Sequence, residues 1–141
     1  MIILKTSRAL ECMKRAGRIS QNALQLAGSL VKPGVSTWEI DQAAKKYIES
    51  EGAVPTFLGY GGFPASCCIS VNEVVIHGIP HKDKILQEGD IVSIDTGATF
   101  EGFVGDNAWT FACGKVSKEA QGLMDTTREC LFEGIKAAQP G

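Results

Sequence analysis

Ile91-Val-Ser-Ile-Asp95-Thr-Gly-Ala-Thr-Phe-Glu-Gly-Phe-Val-Gly105-Asp106-Asn-Ala-Trp-Thr-Phe111 decides the fold of this chain. Two apolar runs meet at Glu101-Gly102, an acid-glycine pair suited to a two-residue hairpin turn because glycine accepts a positive φ. With that pair as the turn, Asp95 faces Ala108 across the ladder and Asp106 faces Gly97. Side chains alternate along a strand, so Ser93, Asp95, Gly97, Thr99, Val104, Asp106, Ala108 and Thr110 share one face. Val92, Ile94, Ala98, Phe100, Phe103, Trp109 and Phe111 take the other, which is expected to be the core.

The first face is small, polar and doubly acidic. Diagonal neighbours on such a ladder lie about 7–8 Å apart at Cα, so the Asp95 and Asp106 carboxylates can converge on a divalent cation between them. Two uncompensated carboxylates would repel and raise one pKa, whereas a metal ion neutralises both. The competing reading is a solvated strand face that needs no ligand, although Asp is depleted in strands.

The 141 residues amount to one domain, and a net charge of -2 gives no electrostatic reason to expect nucleic acid or an anionic membrane as a partner. No apolar run reaches spanning length, and the start Met1-Ile-Ile-Leu-Lys5 is too short for a signal peptide, so the cytoplasm is the default address. The five cysteines are odd in number and hold no C-x-x-C pair, which argues for reduced thiols and against structural zinc. His77 and His81 are not spaced as in helical zinc proteases, and neither a P-loop nor a dinucleotide fingerprint is present.

Around the hairpin, helices are expected on one side. The first is capped near Thr6 or Ser7, carries Leu10, Met13, Ala16, Ile19, Ala23, Ala27 and Leu30 on one stripe, and ends at Lys32-Pro33-Gly34. Ser36-Thr-Trp-Glu39 reads as a capping box opening a second helix with the stripe Ile40, Ala43, Ala44, Tyr47 and Ile48, closed by Gly52. From Pro55 to Pro64 aromatic rings alternate with glycine, either tucked into the core or forming a rigid apolar pocket. Cys67–Val71 and Glu73–Ile76 are β-prone runs separated by Asn72 and followed by His77-Gly-Ile-Pro80. Ser117 opens a third helix whose buried side is expected to be Ala120, Leu123, Met124, Thr127, Leu131 and Ala138. Residues 23–34 and 130–141 align at an offset of 107 with a shared Leu and Pro-Gly stop, either a chance match or the start of an internal repeat.

Lys32-Pro-Gly-Val-Ser36, Leu58-Gly-Tyr-Gly-Gly-Phe-Pro64, Cys68-Ile-Ser-Val-Asn-Glu-Val-Val-Ile-His-Gly-Ile-Pro80, Gly89-Asp-Ile-Val-Ser-Ile-Asp95 and Gly105-Asp106 together resemble type I methionine aminopeptidase. The resemblance implies an α+β pita-bread (creatinase/aminopeptidase) fold, whose two pseudo-symmetric halves pair antiparallel strands with helices around a dinuclear metal site. Residues 1–141 would be the N-terminal half of that catalytic domain. It implies that Asp95 chelates one metal and Asp106 bridges both, and that His77 hydrogen-bonds the scissile peptide. Phe57, Tyr60, Phe63 and Cys68 would line the pocket for the substrate's methionine side chain. Phe57 and Phe63 stand where some relatives have Cys and Tyr, Val104 where His is frequent, and Gly97 where Thr is frequent.

The implied activity is metal-assisted hydrolysis of the first peptide bond of methionyl peptides and nascent chains. The implied cofactor is a pair of divalent ions, cobalt, manganese, iron or zinc. The family draws a His and two Glu ligands, and a further His near the substrate, from a second half not found in these residues. Three readings follow: an N-terminal half inactive by itself, a non-catalytic pita-bread module that binds proteins, or two copies self-associating through the exposed half-interface as a C2 homodimer.

Overall fold

A computed structural model describes residues 3–141; Met1 and Ile2, within the start read above against a signal peptide, lie outside the described residues. The long hairpin forms as its sequence dictates. Strands β3 (Ile91–Phe100) and β4 (Phe103–Ala112) pair antiparallel, Asp95 opposite Ala108 and Gly97 opposite Asp106. Glu101 and Gly102 take φ of 48° and 80°, the doubly left-handed turn whose twist matches a β-hairpin.

β3 is the centre of a four-stranded antiparallel sheet. Along its other edge run β1 (Val54–Pro55), opposite Thr99 and Ala98, and β2 (Cys67–Val71), opposite residues 92–96. One face of this sheet is covered by helix α1 (Ser7–Ser29), capped by the Thr6 side chain, and by α2 (Thr37–Ser50), opened by the Ser36–Glu39 capping box. Ala16, Ile19, Ala23 and Ala27 of the predicted α1 stripe are buried, as are Ile40, Ala44 and Ile48 of α2, against Cys67, Ile69, Val71, Val92, Ile94 and Ala98. The small residues of α1 allow close approach: a Cβ on Gly105 of β4 would collide with the backbone of Ala16 and Gly17.

Four expectations need correction. Leu10 and Met13 at the start of the α1 stripe are exposed. At this level of the helix the sheet-facing residue is instead Cys12, which is buried and reaches Glu101 in the hairpin turn. Trp109 shares the helix-covered face but is 39% exposed, because β4 is an edge strand and α1 covers only part of it. Glu73–Ile76 forms no strand. Asn72, at φ 54°, reverses the chain, and the outer edge of β2 is taken instead by Gly78, whose carbonyl accepts from the Ile69 amide at 2.8 Å. A Cβ on Gly78 would strike the Ile69 carbonyl, so this closeness requires glycine.

The fourth correction is the largest. Helix α3 (Lys118–Ala137) is capped by Ser117 as expected, yet none of its residues is buried, and Leu123, Leu131 and Ile135 stand exposed. Its sequence prepares an apolar side that nothing in these residues covers. The ends of α1 and α3 keep close to the repeat offset read from the sequence.

Candidate metal and substrate site

The helix-free face of the sheet carries the candidate site. Asp95 and Asp106 project from β3 and β4, and Cys68 of β2 lies directly opposite Asp95 on the same face. Leaving β1, the chain passes over this face and brings Phe57, Tyr60 and Phe63 to its rim; Tyr60 opens a short 3-10 turn ending at Gly62. His77, at φ 58°, follows the reversal after β2. All seven predicted site residues, with Thr56 and Gly61, line one cavity of about 470 Å³. The aromatic loop is therefore a pocket wall rather than core filling: Phe57 and Phe63 are half-buried and Tyr60 is 79% exposed.

The electrostatics of the pair are unfavourable without a cation. Burial, then the charge of Asp106, pushes the Asp95 carboxyl up to about 6, with His77 opposing the rise. Asp95 Oδ1 is buried and has no hydrogen-bond partner. An orphaned carboxylate oxygen is costly, and a second carboxylate beside it supplies no donor when ionised. A divalent cation between the two would satisfy both, so these residues fit a hard, oxygen-ligated metal. They do not complete its site: among the described residues no three His, Cys, Asp or Glu side chains converge to hold one. Cys68 adds no ligand at neutral pH, since burial and the two aspartates raise its thiol to about 11.

Several residues that hold this geometry escaped the sequence reading. Thr96, between Asp95 and Gly97, is fully buried against α1; Ser20 Oγ donates to its carbonyl at 2.8 Å and Thr96 Oγ1 donates to the Ser20 carbonyl at 3.1 Å. Asn107, next to Asp106, donates from Nδ2 to the Gly17 carbonyl at 3.2 Å. Each aspartate thus has a sequence neighbour tied to the same helix. Asp41 of α2 is 2% exposed, and its Oδ1 accepts from the Ser66 and Cys67 amides at 2.8 Å each, fixing the entry of β2. Burial raises the Asp41 pKa, while the two amides pull it down. Its one local signal was an acid beside Ile40 on the apolar side of a helix.

Comparison with known proteins bears on the assignment. Residues 11–141 match the model of metallopeptidase family M24. Over its whole length the chain is 48% identical to the methionine aminopeptidase of Clostridium acetobutylicum and 46% identical to methionine aminopeptidase 1 of Bacillus subtilis, covering 56% of each. It superposes on the crystal structure of methionine aminopeptidase from Thermotoga maritima with a TM-score of 0.96 at 39% identity, covering all of this chain and 57% of that one. The chain therefore spans little more than half the length of these relatives, and its antiparallel sheet backed by helices is the pita-bread architecture expected from the sequence. With the family model matching nearly the whole chain and the fold shared at this level, the protein belongs to metallopeptidase family M24.

Proposed function

We propose that residues 1–141 form the N-terminal half of a methionyl aminopeptidase catalytic domain, contributing two carboxylates to a dinuclear divalent metal site and most of the pocket for the first residue of a peptide. The observation that carries this reading is the placement of Asp95 and Asp106 diagonally across one hairpin, with Asp95 Oδ1 lacking a partner, inside a cavity walled by aromatic rings. Bound cations of the manganese, iron, cobalt or zinc type would polarise a peptide carbonyl and lower the pKa of water.

In this reading Asp95 and Asp106 would hold the cations. His77, on the cavity rim, donates a hydrogen bond to the scissile peptide. Phe57, Tyr60, Phe63 and the neutral Cys68 thiol enclose a methionine side chain, whose thioether gains from aromatic edges. The substrates are methionyl peptides and nascent chains, and the place of action is the cytoplasm. Nothing on this face invites nucleic acid, and no helix among the described residues is long and apolar enough to cross a membrane. The 141 residues alone are inert, because a catalytic metal ordinarily takes at least three protein ligands.

Metal-titrated hydrolysis of Met-Ala-Ser tests the reading, using the chain and a chimaera in which residues 1–141 are continued by the C-terminal portion of the Bacillus subtilis relative. The chimaera is expected to hydrolyse the peptide and to lose activity on Asp106→Asn; an inactive, folded, metal-loaded chimaera would contradict the reading. The uncovered apolar residues of α3 favour a second one, self-association of two copies. A monomer in size-exclusion chromatography at high concentration would remove it.

A further inference from the structure

Gly97 has no conformational reason to be glycine. It lies in the middle of β3 and is not among the residues with positive φ, and a glycine there costs backbone entropy and gives up packing. What excludes a side chain is space. A Cβ at residue 97 would lie 2.7 Å from Phe57 Cε1, 3.1 Å from Phe57 Cζ and 2.9 Å from Thr56 Cβ. Thr56 is not free to retreat: its amide donates to the Gly97 carbonyl at 2.9 Å, and its hydroxyl shares a 2.9 Å hydrogen bond with Thr99. The Phe57 ring rests on bare strand backbone, immediately across the ladder from Asp106.

We propose that Gly97 is a specificity-determining residue, the seat on which Phe57 lies, so that the pair fixes how large an apolar side chain the cavity admits beside the two aspartates. The proposal deepens the peptidase reading and rests on it, since it takes the cavity as the site for a peptide's first side chain. A methyl group at residue 97 must displace the ring, which lines the cavity, because Thr56 is fastened by its own hydrogen bonds. Removing the ring gives that volume back. Gly97 and Phe57 are therefore coupled, and each substitution is predicted to offset the other.

Two arms test this. In the chain itself, Gly97→Ala is expected to lower the unfolding temperature by about 3 °C or more, and by less than half as much when Phe57→Ala is already present. An equal loss in both backgrounds would overturn the seat. In the active chimaera, Gly97→Ala is expected to lower kcat/KM for Met-Ala-Ser about tenfold relative to Ala-Ala-Ser, with part of the preference recovered on adding Phe57→Ala. Equal changes for both peptides would overturn the role in specificity. A parent chimaera that cleaves neither peptide refutes the peptidase reading instead, and the unfolding cycle alone then decides the pair.

Discussion

Asp95 is the residue at which sequence, structure and chemistry meet. Its carboxyl stands at about 6, held up first by burial and then by Asp106. An unfolded Asp titrates near about 3.9, so the folded chain binds this proton more tightly than the unfolded one. The sign follows: the stabilisation from this group is complete below about pH 4 and is lost as pH rises through about 6. In chelator-treated chain, thermal unfolding is expected to show stability falling across that window, and Asp95→Asn to flatten the dependence. Asp106→Asn removes the neighbouring charge and should move the titration downward, measurable from the Asp95 carboxyl signal by NMR. The pairing of these two aspartates was legible because a two-residue period and a Glu-Gly turn leave one register. Asp41 was less so, since its partners are backbone amides more than twenty residues away that no spacing announces.

At the scale of elements, the sheet is held to its helices by polar contacts as well as apolar ones. Asp41→Ala leaves the Ser66 and Cys67 amides without their acceptor and is expected to cost about 2–4 kcal/mol in chemical denaturation, whereas Asp41→Asn retains an acceptor oxygen and costs less. Thr96→Val, nearly equal in volume, removes the hydroxyl that donates to the Ser20 carbonyl and should cost about 1–2 kcal/mol while weakening Mn²⁺ binding through its neighbour Asp95. The capping box, both helical stripes and the hairpin were readable because each is a local pattern. Glu73–Ile76 misled because β-propensity makes a strand only where a free edge exists, and Gly78 had already taken the outer edge of β2. Trp109 misled because alternation assigns a face but not whether a helix reaches far enough to cover it.

At the scale of the whole molecule, two surfaces are uncovered by the described residues: the acidic face of the sheet, and the apolar residues of α3. Because α3 buries none of its residues, ending the chain at Val116 is expected to shift the unfolding temperature by no more than about 2 °C, a result differential scanning calorimetry reads directly. A larger loss would mean that α3 packs in solution. The amphipathic pattern of α3 was correctly seen, but a sequence pattern states that a face wants burial without naming what buries it. The same holds for the candidate metal site: strand alternation put two carboxylates on one face without naming what would complete a cation's shell.

Titration calorimetry with Mn²⁺ tests most directly the claim that Asp95 and Asp106 belong to a cation site completed by residues outside this chain. The chain is predicted to bind weakly and to lose that binding on either Asp95→Asn or Asp106→Asn, while the chimaera binds far more tightly and loses affinity on the same substitutions. Binding by the chain as tight as that of the chimaera, or binding indifferent to both aspartates, would contradict it.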